Sequence, residues 1–353
     1  MTMQDNRRLF DITTRHQIYI EGVKGGMFLD FQRMLAELSK ELQNLFGRMK
    51  YRRLDQLTKT QLNVLLVKLR RVQYRIFGSY ADDLVKQIEA FMNAEVVMTR
   101  RMFASFFEPP GVDERGVLSD EDSAAFIPFF VSANQTTPLF GVAAITGAGA
   151  ALWARLKNLP IPANGVTVLN FVKSFANSAQ GQIEKIVRQA WANGISVDEL
   201  VAVLTGTPGA VLGGIQQGSA SQLDRIKNQG SAVIDTVTQF VSSAVTAAVA
   251  SAFFLRYSWN SIIDSATTDI CRSRDGKIYD FATGPKPPAH IRCRSSISPL
   301  TTTGAAYAAA SLGAWLAEQP ANVQKDIRTE DGVYTSRPLT LAQYESKLAL
   351  ILS

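Results

Sequence analysis

The N-terminal third of the chain is dominated by helix-forming residues, and this feature most constrains the fold. Neither glycine nor proline occurs between Gly78 and Pro109, and good helix formers fill that interval. Just upstream, apolar side chains recur at steps of three and four residues, at Leu62, Leu65, Leu69, Val72 and Ile76. That spacing places them on one face of a helix. The sequence therefore predicts helix up to about Phe107.

Later segments continue the helical pattern. Residues 166–193 predict an amphipathic helix that ends at Gly194, and Ser196 begins a capping-box pattern for the next helix. Residues 211–230 are rich in glycine, serine and glutamine, which predicts a loop or a frayed helix. Residues 234–255 predict a buried helix, because their apolar run is shorter than a bilayer span and hydroxyls interrupt it.

A small β module follows the helices. Two short strands are predicted over residues 257–263 and 277–279, the second directly after an Asp275-Gly276 turn. The predicted fold is therefore mainly α: an elongated helical protein with a small β-hairpin and loop module around residues 257–297. No stable membrane span is expected.

A change in composition after Glu108 predicts a domain boundary. Two prolines and a glycine stop the helix there, and an acidic run follows. The predicted organisation has four parts: a helical N-terminal arm with basic stripes (1–108), a proline-containing acidic linker (109–136), a central domain (137–300) and a helical C-terminal tail (301–353).

Positive charge is concentrated in the N-terminal arm. The chain carries a formal net charge of +6, and from Glu41 to Phe77 only Glu41 and Asp55 oppose the basic side chains. The candidate DNA-binding residues form two groups: Arg48, Lys50, Arg52 and Arg53, and then Lys68, Arg71 and Arg75. Such clusters favour a polyanion such as DNA, and the alternative is an ordinary solvated face. Tyr51 and Tyr74 interleave with these cations and would permit base stacking, but core packing is expected for them.

Both cysteines and one of the two histidines lie in one short window, at Cys271, His290 and Cys293. These side chains could bind one metal ion, with a fourth ligand taken from Asp264, Asp269 or Asp275. The alternatives are a disulfide and, as the favoured interpretation, two buried thiols and a backbone-bonded histidine around a rigid loop. A cysteine nucleophile is not predicted, because no orienting residue or oxyanion site is recognisable. The other histidine, His16, lies in a polar segment and is expected to be exposed.

Arginines flank the second cysteine of the window. Arg292 and Arg294 could pair with Asp264, Asp269 or an outside anion, and structural pairing is the commoner fate. Nearby prolines stiffen the chain that leads to these arginines.

The window belongs to a longer run of distinctive residues, and their order and spacing carry a resemblance. The run comprises Trp259, Asp264, Thr267, Cys271, Asp275, Gly276, Pro288, His290, Cys293 and Arg294. It resembles the signature of the phage Mu F-like minor head proteins, the head-morphogenesis family of tailed bacteriophages. The similarity extends over about Thr137 to Gln324, and only the signature is highly specific. Some family members carry further cysteines where this chain has Arg274 and Ser295.

The resemblance implies an internal virion protein rather than an enzyme. Such a protein would be made in the bacterial host cytoplasm and would then reside inside the phage head. It would contact the portal protein, the interior of the major capsid or scaffold, and packaged double-stranded DNA. Its roles would lie in head assembly and in genome ejection.

A different class of function is a metal-dependent hydrolase. Catalytic zinc takes three protein ligands plus water, and Cys271, His290 and Cys293 could supply the three. The sequence shows no separate general base for this chemistry. Zinc is the only cofactor that the residues suggest.

Overall fold

The computed structural model of this chain describes residues 3–104, 149–206, 211–212, 215–216, 221–251, 253–301, 312–330 and 332–352. The described residues are mainly helical and contain three small antiparallel sheets, which confirms the predicted mainly α fold with a small β module. The predicted linker, 109–136, lies outside the described residues.

Ten α-helices occur in the described parts of the chain. They are α1 (Met3–Gly47), α2 (Lys59–Ala104), α3 (Gly149–Leu156), α4 (Val168–Ala192), α5 (Val197–Thr205), α6 (Gln222–Ala250), α7 (Asp269–Arg274), α8 (Leu312–Ala317), α9 (Ala321–Asp326) and α10 (Leu341–Leu352). A 3-10 turn, Leu54–Gln56, lies between α1 and α2. Predicted helix ends agree with the structure at two places: Gly194 follows α4 with φ of +63°, and the Ser196 hydroxyl caps α5 by accepting from Glu199 N.

Seven strands in the described residues form three sheets, and the strands are numbered along the chain. They are β1 (Val211–Leu212), β2 (Ile215–Gln216), β3 (Arg256–Asn260), β4 (Ile278–Asp280), β5 (Ser296–Leu300), β6 (Ile327–Glu330) and β7 (Val333–Ser336). The pairs β1–β2 and β6–β7 are hairpins, and β3 lies between β4 and β5 in the three-stranded sheet. The predicted strands correspond to β3 and β4, whereas β5 was not predicted. The stretch predicted as a helical tail also contains the β6–β7 hairpin.

The chain divides into two compact units, each of which is discontinuous in sequence. The signature unit comprises Met1–Gly26, Gln87–Val168 and Asp235–Ser353, and the basic unit comprises Met27–Lys86 and Leu169–Ile234. The signature residues all fall in the first, and all seven candidate DNA-binding residues fall in the second.

An aromatic cluster builds the core of the basic unit. Phe31 contacts Tyr80 and Phe175 with ring centroids 5.0 and 5.6 Å apart, and Phe77 meets Phe175 edge-on. Gly230 lies against the same Phe31, so closely that a Cβ on it would be 2.2 Å from a ring carbon. A residue without a side chain is therefore needed at position 230, because the Phe31 ring occupies the space of a Cβ atom.

This packing corrects the predicted bounds of the buried helix. Helix α6 begins at Gln222, well before the predicted start at 234, and ends at Ala250 instead of 255. Ser221 caps the helix start, because its hydroxyl accepts from Asp224 N. Composition predicted a loop or a frayed helix for residues 211–230, and from Gln222 onward tertiary packing at Gly230 outweighs the low helix propensity of the segment.

Helix α6 is also the segment that most resembles a membrane span. By length and composition it could cross a bilayer, since its most apolar 18-residue window has a mean hydropathy of 1.4. In the folded chain, however, 78% of that window is buried inside the protein, as expected of a core helix.

A buried polar trio corrects the prediction that His16 is exposed. His16 retains only 4% of its surface, and its Nε2 lies 2.8 Å from Glu95 Oε1 and 2.9 Å from the Tyr344 hydroxyl. Glu95 and Tyr344 are both fully buried. A buried carboxylate requires hydrogen-bond partners, and His16 and Tyr344 supply them to the Oε1 atom of Glu95. His16 is therefore buried beside Glu95, although the segment around it is polar.

The segment between β7 and α10 lies across the glycines of α1 in the signature unit. Leu339 N donates to Gly22 O at 2.8 Å. A Cβ on Gly26 would be 2.1 Å from Leu339 O, and one on Gly25 would be 3.3 Å from Pro338 Cα. Residues 336–340, called the strap below, therefore need a face of α1 without side chains.

We expect the substitution Gly26→Ala to destabilise the protein by about 1–3 kcal/mol, the usual range for overpacking. The added methyl group would collide with backbone atoms of the strap, which cannot rotate away. Gly78→Ala is the matched control in helix α2, because a Cβ there meets nothing within 4 Å. It should stabilise the protein by about 0.5–1 kcal/mol. Urea unfolding measures both, and an unchanged or raised midpoint for Gly26→Ala would contradict the packing described.

Candidate functional site

The signature residues form one continuous structural module. Strand β3 contributes Trp259, helix α7 contributes Cys271, and the loop between β4 and β5 contributes His290 and Cys293. Trp259, Cys271 and Cys293 are buried against one another, and Tyr279 and Ala289 pack around them. Residues that are distant in sequence thus meet because β4 and β5 both pair with β3.

The two thiols and the imidazole converge on one point. Cys271 Sγ lies 3.1 Å from His290 Nε2 and 3.6 Å from Cys293 Sγ. All three donor atoms lie within 4.8 Å of one another. These residues, which sequence analysis singled out, are therefore the ones in this module that could hold a metal ion. The two cysteines are free thiols in this structure.

The orientation of His290 is fixed from the far side of its ring. Its Nδ1 lies 2.8 Å from Ile291 O, and a carbonyl oxygen can only accept, so Nδ1 carries the proton. In the neutral ring, Nε2 is consequently an acceptor and points towards the thiols. The Thr268 hydroxyl lies 2.8 Å from the same Nε2.

The pKa values of the two thiols are shifted in opposite directions. The hydrogen bond from Cys271 holds the pKa of the Cys293 thiol well below its ordinary value, with a further contribution from His290, although burial opposes this shift. The same bond and burial raise the pKa of Cys271 far above its usual range. The pKa of His290 is raised, chiefly by the neighbouring Cys293 side chain, whose thiolate form favours the protonated ring. One thiolate is therefore accommodated, whereas a second negative charge is disfavoured without a compensating cation.

The carboxylates suggested as a fourth ligand do not join the cluster. Asp264, Asp269 and Asp275 are all described, and none of them belongs to the group of converging donors. Asp264 accepts from Arg294, and Asp275 Oδ1 accepts from Ser261 N at 2.7 Å. This corrects the expectation of an acidic fourth ligand. Asp264 and Asp275 instead stabilise the local turns and loops, through an ion pair and a hydrogen bond from the backbone.

Asp264 anchors the loop that carries Cys293. Its side chain is fully buried and lies 2.5 Å from Arg294 Nη2, and its other oxygen accepts from Tyr334 N of β7. Burial alone would raise the pKa of Asp264, but the Arg294 guanidinium and two backbone N–H groups lower it below its ordinary value. The structural pairing predicted for Arg294 is confirmed. Arg292 lies 3.7 Å from Asp235 instead.

The other signature residues shape the backbone. Thr267 Oγ1 accepts from Asp264 N at 2.8 Å, which closes the turn before α7. Gly276 has φ of +70° and donates its N–H to Trp259 O, which confirms the predicted Asp275-Gly276 turn. Pro288 is buried in the loop that leads to His290.

The side chains of α6 that support this loop were not predicted from the sequence. Gln239 Nε2 donates to Ser295 O at 2.8 Å, and Thr236 Oγ1 accepts from Arg292 N at 3.0 Å. Both side chains are fully buried. Lys24, also buried, reaches Gln239 Oε1 from α1. The available signal was the presence of these polar residues within an otherwise apolar helix.

The candidate DNA-binding residues are exposed on the basic unit, but they are not equivalent. Arg53 pairs with Asp55, and Arg75 lies 3.3 Å from Glu41. Within the described residues, the remaining five make no ion pair: Arg48, Lys50, Arg52, Lys68 and Arg71. Neighbouring Arg70, in contrast, is held by Glu184.

Two tyrosines in this region are exposed, which corrects the expectation that they pack in the core. Tyr74 retains 74% of its surface and Tyr51 37%. Tyr74 lies three residues after Arg71 and seven after Val67, so the helical period places all three on one face of α2. That face is opposite the buried leucines, which explains why the core does not include Tyr74.

In comparisons with known proteins, no family model, curated protein or solved structure matched this chain. The function is consequently argued from the residues themselves. The two features that carry that argument are the signature module and the unpaired cations of the basic unit.

We expect Asp264→Asn to destabilise the protein by about 3–5 kcal/mol, because the nearly buried Arg294 would lose its counter-charge. Asp269→Asn is the control, since Asp269 is exposed in the first turn of α7. Its effect should stay within about 0.5 kcal/mol. Thermal and urea unfolding of both variants make the comparison. Equal stability of the two variants would show that the Asp264–Arg294 pair does not hold the module together.

Proposed function

We propose that this chain is a minor head protein of a tailed phage, located inside the virion and bound to the portal and to packaged DNA. The observation that supports this most is the resemblance of the signature residues, combined with their convergence in one module. Trp259, Cys271, Cys293 and Asp264 all make structural contacts there. Because a shared fold alone does not establish function, the proposal rests on the resemblance of these particular residues.

A structural role suits the chemistry of the module better than hydrolysis does. A zinc hydrolase needs a group that accepts a proton from the attacking water. Of the three described carboxylates near Cys271 in sequence, Asp264 and Asp275 already accept hydrogen bonds from Arg294 and Ser261, and Asp269 is exposed and does not belong to the converging donors. Among the described residues, the three converging donors are the feature that favours the hydrolase, because catalytic zinc takes three protein ligands plus water. We therefore propose an interaction protein rather than an enzyme.

The unpaired cations of the basic unit support contact with DNA. Five exposed cations have no acidic partner among the described residues, and such groups gain free energy by neutralising phosphates and releasing counterions. The contact would be independent of base sequence, which suits a protein that meets a packaged genome at arbitrary positions. The exposed Tyr74 adds an aromatic surface beside Arg71, on which an unpaired base could stack.

DNA affinity should depend on the cations that lack an acidic partner among the described residues, and not only on the net charge of the protein. We expect the double substitution Lys68→Gln and Arg71→Gln to weaken binding and to reduce the slope of log affinity against log salt by about 0.9 for each phosphate that is no longer neutralised. Fluorescence anisotropy with a labelled duplex at several salt concentrations measures both quantities.

Arg70→Gln is the matched control for this titration. It removes a positive charge one residue away, but the Arg70 side chain is already held by Glu184 at 2.5 Å, a carboxylate that it shares with Arg188. Affinity and salt slope should therefore remain close to those of the unmodified protein. If the control variant and the double variant behave alike, Lys68 and Arg71 do not form a specific contact surface.

The location in the virion has its own test. Quantitative mass spectrometry of purified virions, before and after triggered DNA release, should detect a few copies of this chain per portal before release. Loss on release would identify a protein ejected with the genome, and retention would identify a component that stays at the portal. Absence from virions in both states would refute the proposal.

A further inference from the structure

We infer that Cys271, Cys293 and His290 bind a single Zn²⁺ ion, which joins helix α7 to the loop between β4 and β5. This site is separate from the cations proposed to contact DNA, so the inference extends beyond the proposed function. The ion would act as a structural cross-link within the signature module.

The distances between the donor atoms match those required by tetrahedral zinc. With Zn–S bonds of about 2.3 Å and a Zn–N bond of about 2.0 Å, tetrahedral angles hold two sulfurs about 3.8 Å apart and a sulfur and a nitrogen about 3.5 Å apart. The two sulfurs here lie 3.6 Å apart, and Cys271 Sγ lies 3.1 Å from His290 Nε2. These two distances differ from the tetrahedral values by about 0.4 Å or less, and the third pair, His290 Nε2 and Cys293 Sγ, lies within 4.8 Å.

The ligand types select the metal. Two thiolates and an imidazole are the donors that zinc prefers, whereas magnesium and calcium require oxygen ligands. The imidazole is already prepared for binding, because Nδ1–H donates to Ile291 O and directs Nε2 to the thiols. A backbone carbonyl on the second ring nitrogen is the usual support of a metal-bound histidine.

Because the two thiols are buried, a bound cation would balance the negative charge of their thiolate forms. Cys293 is fully buried and Cys271 retains 3% of its surface. Two thiolates in such a place are costly unless a cation lies between them. A divalent ion would compensate both charges and displace the remaining thiol proton.

The fourth position of the tetrahedron is on the side of Thr268. This residue is exposed, and its hydroxyl already lies 2.8 Å from His290 Nε2. No carboxylate among the described residues joins the cluster, so we assign the fourth position to a water molecule beside this hydroxyl. The site thus has three protein ligands.

Metal content and coordination test the inference directly on the full-length protein, purified in the presence of a reductant and without chelator. Elemental analysis should find about one zinc per chain. Replacement by Co²⁺ should give thiolate-to-cobalt charge transfer and the intense visible bands of a tetrahedral ion. Cys293→Ser should lower the zinc content at least tenfold, and the control Asp269→Asn should retain one equivalent, because Asp269 is not among the converging donors.

Thiol protection keeps the inference testable if Cys293→Ser does not fold. In the unmodified protein, zinc should shield both cysteines from an alkylating reagent until a chelator is added. Fast alkylation without chelator, together with no zinc and no cobalt bands, would overturn the inference. A disulfide between the cysteines under reducing conditions would overturn it as well. Either result would leave the DNA proposal standing, because duplex affinity depends on cations of the basic unit and is measured separately.

Discussion

The ion pair between Asp264 and Arg294 is the contact on which the signature module most depends. Arg294 is the direct neighbour of Cys293, so the position of its side chain determines where the second thiol lies. Asp264 also accepts from Tyr334 N, which ties the same loop to β7. A single buried carboxylate thus connects the segment after β3, the segment before β5 and the β6–β7 hairpin. The cost of burying its charge is offset only because every partner is in place.

Sequence analysis was most successful where structure is local. Helix periodicity, the cap at Ser196 and the turn at Gly276 depend on residues within a few positions of one another, and these predictions agree with the structure. It failed where a distant partner decides. The burial of His16 depends on Glu95 and Tyr344, which are 79 and 328 residues away. No local pattern carries that information.

The residues of the candidate sites could be predicted from the sequence, but the side chains that contact and support them could not. The rarity of cysteine and histidine was enough to select the three converging donors. The roles of Gln239 and Thr236 could not be predicted, because a polar residue in an apolar helix can serve many loops. The basic stripe was visible from its charges. Only the structure distinguishes Arg71, which makes no ion pair within the described residues, from Arg70, whose partner lies 114 residues along the chain. Tyr74 shows the same limit, since burial depends on which face of α2 meets the core.

The strap across the glycines of α1 has a consequence for synthesis of the chain. His16 on α1 and Tyr344 on α10 are separated by 328 residues. At elongation rates of about 5–20 residues per second, the ribosome needs roughly 15 to 65 seconds to translate that interval. For this time α1 has its glycine face uncovered and the polar trio incomplete. The signature unit therefore closes only after translation of residues 336–344, and a chain released early keeps an unfinished core that cellular proteases can recognise.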